Sequence, residues 1–129
     1  MKKGINIWSF SGGMKMTDCM VLAKKAGYDG IELSLDEEGE VSLVSSEKDL
    51  LALKRTAEEV GIEVPSIASG LYWTYPATSP DPAIRKKSGD IVKKQLEVAA
   101  VFGADSILVV PGAVTGPSAG GEAVPYDVA

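Results

Sequence analysis

Apolar residues recur along this chain in two alternating manners, at every third or fourth position over long stretches and continuously over short ones. From about Thr17 to Ala26, Cys19, Leu22, Ala23 and Ala26 share one helical face. A second helix is predicted after Ser46, with Leu50, Leu53, Ala57 and Val60 as its stripe and Lys54, Arg55, Glu58 and Glu59 facing water. Ser46 and Asp49 resemble a capping box in which Asp replaces the usual Glu. A third helix starts at Asp81-Pro82, an N-cap followed by proline at the first helical position. Its inner face is Ile84, Ser88, Ile91, Gln95, Val98, Ala99 and Phe102, and Gly89 weakens its middle by about 1 kcal/mol relative to alanine.

Between the helices lie strand-like segments: Gly4 to Trp8, Gly30 to Ser34, Glu63 to Ala68 and Ser106 to Val110. Ile107 to Val110 is apolar on both faces, which suits a parallel strand covered on both sides. Three helix-to-strand junctions look alike, with Gly27, Gly61 and Gly103 each closing an amphipathic run, where a residue able to take positive φ belongs. The order β-α-β-α-β-α-β predicts a parallel sheet with right-handed crossovers and helices along one face or both. Pro111 to Gly121 is rich in Gly and Pro and reads as a long loop, after which Pro125 opens another helix just as the chain stops. The expectation is one domain over residues 1–129, truncated before a fifth strand.

With 129 residues, 45% hydrophobic and 24% charged, the chain has the composition of a globular domain. A single cysteine excludes a disulfide scaffold and a structural zinc cluster. No apolar run approaches the roughly 20 residues a bilayer crossing needs, and Ile5 to Trp8 is too short for a signal-peptide core, so the cytoplasm is the expected location. A net charge of −5 argues against nucleic-acid or anionic-membrane partners. The chain holds no histidine, which excludes Ser-His-Asp and Cys-His catalysis and any imidazole-ligated metal supplied by this chain alone.

In parallel α/β folds the loops after the strands carry the site. Trp8, Phe10, Tyr72, Trp73 and Tyr75, five of the eight aromatic residues, fall at that edge. They suit stacking on an apolar ligand face, or else pack the loops together. Glu32 lies opposite Ile31 and Leu33 on its strand and faces the other side of the sheet. A buried carboxylate needs a partner. An internal salt bridge with a basic residue is the preferred reading, ahead of a substrate hydroxyl or an acid/base role. Gly12-Gly13 lacks a phosphate-cradle pattern. The Lys86, Lys87, Lys93 and Lys94 cluster reads as a solvated helix face, Asp36-Glu37-Glu38 with Glu40 as an acidic surface loop, and Cys19 as a core residue.

Gly27-Tyr28-Asp29-Gly30-Ile31-Glu32-Leu33, the Ser79-Pro80-Asp81 segment within Ala77 to Arg85, and Gly103-Ala104-Asp105 followed by Val109-Val110-Pro111-Gly112 together resemble the xylose-isomerase-like TIM-barrel superfamily of sugar isomerases and epimerases. The likeness spans residues 4 to 128 and is greatest to ketose 3-epimerases and sugar-phosphate epimerases. It implies an α/β fold in which this chain forms a parallel (β/α) half-barrel, the first four strands of a TIM-type (β/α)8 barrel. It also implies a divalent cation (Mn, Co or Mg) held by two glutamates, an aspartate and a histidine of the fifth to eighth strands, with a proton passed through an enediolate. None of those ligands has a matching position here, so no catalytic or metal residue is expected in this fragment, and the 129-residue chain is expected to be inactive alone. Substrate lining is implied for Trp8, for Ser69, Gly70 and Leu71, and for Val110 and Pro111, while Glu32 resembles a recurring second-strand glutamate. Partners are expected to be a small sugar or sugar phosphate and, through the exposed barrel edges, a second copy of the chain. The alternatives are a self-associating half-barrel scaffold and an inosose dehydratase-like lyase. An abasic-site endonuclease needs a basic edge and histidines that this chain lacks.

Overall fold

The computed structural model describes residues 1–113 and Asp127. The expected helix at Pro125 and most of the Gly/Pro-rich segment lie outside the described residues. Among the described residues the elements are β1 (Gly4–Asn6), a 3-10 turn (Ile7–Ser9), α1 (Met16–Lys25), β2 (Gly30–Ser34), α2 (Glu47–Val60), β3 (Ser66–Ala68), a second 3-10 turn (Leu71–Trp73), α3 (Pro82–Phe102) and β4 (Ser106–Ile107). The strands form one sheet in the order β1-β2-β3-β4, and every pairing is parallel.

Local chemistry sets the helix ends. Gly61 and Gly103 cap α2 and α3 at φ +75° and +72°, and Gly27 follows α1 at +84°, so each junction uses the left-handed region that glycine enters at little cost. Asp81 Oδ1 accepts from the Ala83 N–H at 2.8 Å, and Pro82 opens α3. At α2 the Ser46 side chain accepts from the Asp49 N–H, but Asp49, shorter than Glu by one methylene, accepts the Ser46 hydroxyl instead of reaching the N-cap backbone. Only half of the expected capping box is made.

Three strands are shorter than their apolar runs. Asn6 Oδ1 accepts from the Trp8 N–H at 2.7 Å and turns the chain out of the ladder after β1. Glu63 pairs with Gly30 by an isolated bridge while Ile67 pairs with Leu33, so the third segment holds one extra residue, in a bulge that includes Pro65, which has no N–H to donate. A Cβ on Gly30 would stand 3.1 Å from Pro65 Cδ and 3.3 Å from its Cγ, which accounts for glycine at the start of β2. β4 ends at Ile107, although the Leu108 N–H still donates to Ile67 O.

The helices pack side by side on one face of the sheet, α1 beside α2 and α2 beside α3. The core there joins Ile31, Leu33 and Ile67 to Leu50, Leu53, Ile91, Val98 and Phe102. Each fully buried aliphatic side chain contributes about 1.5–3 kcal/mol of transfer free energy. The stripe of α1 is rotated from the expected one: Cys19, Met20 and Ala23 are buried, whereas Leu22 is 48% exposed and Ala26 faces water. Leu22 lies on the flank of α1 that no described helix covers. Leu50, Leu53 and Ala57 of the α2 stripe and most of the α3 stripe, including Ser88 and Gln95, are buried as expected, while Val60 is half-buried. No helix among the described residues is long and apolar enough to cross a membrane.

Candidate functional site

Beyond the C-terminal ends of β1 and β2 lies a cleft of about 360 Å3 lined by Trp8, Phe10, Ser11, Met14, Ser34 and Asp36, with Cys19 at its base. Trp8, 56% exposed, is carried by the turn that Asn6 caps, and the edge of its indole runs beside Gly70. Gly12 and Gly13 also line the cleft. Burial raises the Cys19 thiol above its ordinary pKa, with Asp18 and Glu40 adding to the effect, so this side chain is an inert floor.

Asp36 is held firmly. Its N–H donates to Val41 O at 3.1 Å, its carbonyl accepts from the Leu43 N–H at 3.0 Å, and the neighbouring Leu35 N–H is tied to Ala68 O. Among the described residues its carboxylate has one side-chain partner, the Ser34 hydroxyl at a long 3.4 Å. Desolvation pushes the carboxyl above the usual aspartate range, and Ser34 opposes that weakly.

On the sheet face away from the helices, one row crosses all four strands. Asn6 is in register with Glu32, and Ser66 with Ser106; Ser66 lies beside Glu32 because Ile67 pairs with Leu33. Glu32, half-buried, accepts from Asn6 Nδ2 at 2.6 Å and from the Ser66 hydroxyl at 2.7 Å. The expected salt bridge with a basic residue is therefore replaced by two neutral donors; the row carries amide and hydroxyl groups and no lysine or arginine. Asn6 uses its amide at both ends, donating to Glu32 and accepting from the Trp8 N–H, so the carboxylate orients the residue that fixes the Trp8 turn.

The other candidate residues are placed as follows. Ser69 is buried; its hydroxyl donates to Leu35 O at 2.7 Å and accepts from the Leu71 N–H, so both its bonds go to the backbone. Gly70 lies against Trp8, and Leu71 packs on the core. Val110 also packs on the core, and Pro111 O accepts from the Thr78 N–H, tying the end of the fourth unit to the loop before α3. The aromatic group divides. Tyr72 is fully buried and hydrogen-bonded to Gln95, with burial raising its phenol above the ordinary value, while Trp8 and Trp73 are exposed. Phe10 and Tyr75 are half-buried, and the Tyr75 hydroxyl donates to Glu37 Oε1 at 2.8 Å.

Sequence reasoning did not single out Asn6, while Asp36 to Glu40 are exposed, as expected of an acidic surface loop. For Asn6 the available signal was position, at the C-terminal end of its strand. The loop's carboxylates in fact diverge, since Glu37 meets Tyr75 and Glu40 accepts from the Met16 N–H at the start of α1. Three lysines of α3 pair on their own helix, Lys86 and Lys93 with Asp90 and Lys94 with Glu97, while Lys94 also donates to Ser45 O and Lys87 lies over the Tyr75 ring.

A divalent cation needs several converging oxygen or nitrogen ligands. Among the described residues no three His, Cys, Asp or Glu side chains converge, so these residues do not fit a resident cation.

The profile of the family described as xylose isomerase-like TIM barrel matches residues 20–125. L-ribulose-5-phosphate 3-epimerase UlaE of Salmonella heidelberg (strain SL476) is 34% identical over 86 residues, 65% of this chain and 30% of that protein. The same enzyme of Escherichia coli (strain SMS-3-5 / SECEC) is 34% identical over 84 residues, 64% of this chain and 30% of its own. A crystal structure of D-psicose 3-epimerase in the presence of D-fructose superposes with a TM-score of 0.67 at 23% identity, covering 83% of this chain and 36% of that one. D-psicose 3-epimerase with D-tagatose from Clostridium cellulolyticum H10 gives 0.66 at 21% over the same shares. The likeness to these structures is one of fold. The chain spans 30% of the length of the curated relatives it matches. With four parallel strands in sequential order and a family match over most of its length, the chain belongs to the xylose isomerase-like TIM barrel family.

Proposed function

We propose that this chain is the β1–β4 wall of a sugar or sugar-phosphate isomerase or epimerase that moves a proton at the carbon beside a carbonyl through an enediolate. The observation that carries the reading is the 34% identity to an L-ribulose-5-phosphate 3-epimerase over 86 residues, beside the family match over residues 20–125. Residues 1–129 act as one domain, and Trp8, Gly70, Leu71 and Val110-Pro111 line the sugar, with Ser69 and Glu32 holding that lining in place. The whole enzyme depends on a divalent cation (Mn, Co or Mg) held by residues other than the described ones, and works in the cytoplasm. The 129-residue chain alone has no metal-dependent activity.

The test is to incubate the polypeptide encoded by the whole reading frame with Mn2+ in D2O and L-ribulose 5-phosphate, D-psicose or D-tagatose. Formation of the epimer or isomer with deuterium at the reacting carbon is the expected result. Neither product nor exchange with any of the three would overturn the reading. The 129-residue chain run beside it should give only background.

A second reading, a self-associating half-barrel, is favoured by the exposed Val21, Leu22, Leu96, Leu108 and Val109 and by the edges of β1 and β4, which no other strand among the described residues pairs with. A sedimentation equilibrium run on the chain separates the two, because a monodisperse monomer at micromolar concentration removes the scaffold.

A further inference from the structure

The cleft above β1 and β2 combines a flat apolar surface with an oxygen acceptor free to bind. Trp8, 56% exposed, brings an indole to the cleft on a turn that Asn6 fixes. Asp36 offers a carboxylate whose backbone is hydrogen-bonded on both sides, and whose single side-chain partner among the described residues is the 3.4 Å contact from Ser34. Both line the same volume of about 360 Å3. Ligand sites of this kind pair apolar walls with a few placed polar groups. A polyol fits both parts, because its C–H face lies on an aromatic ring while two adjacent hydroxyls donate to the two oxygens of one carboxylate.

The charge selects further. Glu37 and Glu38 follow Asp36 directly, and the described residues of the cleft wall include no lysine or arginine. A phosphate brought there meets like charge without a compensating cation. We propose that Asp36 and Trp8 form a subsite for the uncharged, hydroxyl-bearing end of the sugar, and that a phosphorylated end, where the substrate has one, points away from this cleft. This rests on the sugar-isomerase reading above and adds a residue and an orientation to it.

The experiment uses the full chain with Trp73→Phe, which leaves Trp8 as the single tryptophan. Its fluorescence is titrated with D-psicose and, separately, with inorganic phosphate. The expected result is a saturable change with D-psicose, weakened about tenfold by Asp36→Asn, which loses charge-assisted bonding, and abolished by Asp36→Leu. Glu38→Gln should leave the titration unaltered, and phosphate should neither change the signal nor compete. Circular dichroism establishes that each variant is folded, and the isosteric Asp36→Asn keeps the test decisive if Asp36→Leu does not fold. Equal affinity in the chain with and without Asp36→Asn, competition by phosphate, or no saturable response overturns the subsite. Any of these results alongside deuterium exchange by the whole reading-frame product removes the subsite while the sugar-isomerase reading stands.

Discussion

Gln95, wholly buried on α3, accepts the Tyr72 hydroxyl on its Oε1 and donates from its Nε2 to Ile67 O at 2.7 Å and Leu108 O at 3.0 Å. One side chain therefore ties the helix to β3, to the end of β4 and to the turn that leaves β3. A buried polar hub is favourable while all its bonds are made and expensive once one partner is removed. Gln95→Leu keeps the volume but orphans the Tyr72 hydroxyl and the Leu108 carbonyl, and is expected to destabilise by about 2–4 kcal/mol. Tyr72→Phe, which orphans only Gln95 Oε1, should cost about 1–2 kcal/mol. Because the two act in one network, the double variant should lose less than the sum. Urea unfolding of the three variants measures this, and strict additivity would contradict the network.

The bond between Glu32 and Ser66 makes a different prediction about charge. Since its partners are an amide and a hydroxyl, the stabilisation from Glu32 is short-ranged hydrogen bonding and carries little salt dependence. Glu32→Leu should destabilise by about 2–4 kcal/mol by leaving both donors unpaired. Glu32→Gln should be milder, about 1 kcal/mol, because the Ser66 hydroxyl can rotate to accept. Asn6 cannot exchange roles in the same way, since its oxygen already holds the Trp8 N–H. The difference between the parent chain and Glu32→Leu should be unchanged from 0.1 to 1 M NaCl. A gap that closes with salt would mean that Glu32 is ion-paired after all.

The helix stripes and the junction glycines were legible in the sequence because they depend on local rules: period, capping residue, and the backbone region that Gly61 and Gly103 occupy. So was the parallel order of the strands, which follows from alternation. Strand lengths were not, because what ends β1 is the side chain of Asn6 and what interrupts the third segment is a bulge that includes Pro65, and neither alters the apolar pattern of the run. The α1 stripe failed at Leu22 because four apolar positions fit two overlapping faces, and packing against β2 and α2 selects between them. Past the strand ends, Trp8 and Gly70 lie against each other. Ser69 and Tyr72 share that place, yet the structure turns their polar groups inward, to Leu35 O and to Gln95. Residue type and position do not reveal which way a side chain faces once the chain has left the strand.

Two neighbours on α3 offer stabilising substitutions by separate routes. Ser88 is buried, and its hydroxyl is the sole buried side-chain polar atom without a hydrogen-bond partner among the described residues. Ser88→Ala removes an unpaired polar group without altering the backbone and should stabilise by about 1 kcal/mol. Gly89 is exposed, and a Cβ there meets nothing within 4 Å. Gly89→Ala should add a further 0.5–1 kcal/mol, roughly, from helix propensity and reduced freedom of the unfolded chain. Both are read as a higher midpoint in urea at constant slope. A lower midpoint for Ser88→Ala would mean that the hydroxyl has a bound partner.

Asp36 sets binding against stability, and pH separates the two. Its carboxyl is held above the ordinary aspartate pKa, chiefly by desolvation, so the folded state prefers the protonated form more than the unfolded chain does. That preference contributes stability in full below the unfolded pKa of about 3.9 and is lost as pH rises through the raised folded value. At pH 7 the folded chain therefore carries an ionised carboxylate at a small expense, because Asp36 is exposed and water screens its charge. Asp36→Asn removes the charge while keeping the shape. It should raise Tm by about 1–3 °C at pH 7, a shift that corresponds to well under 1 kcal/mol in a domain of this size. The gain should shrink as pH falls and vanish near pH 3, where both side chains are neutral. A gain that persists at pH 3 would assign the effect to packing. A loss at pH 7 would mean that the carboxylate is held by donors in the native state, and that the cleft is less free to take up hydroxyls than its geometry indicates.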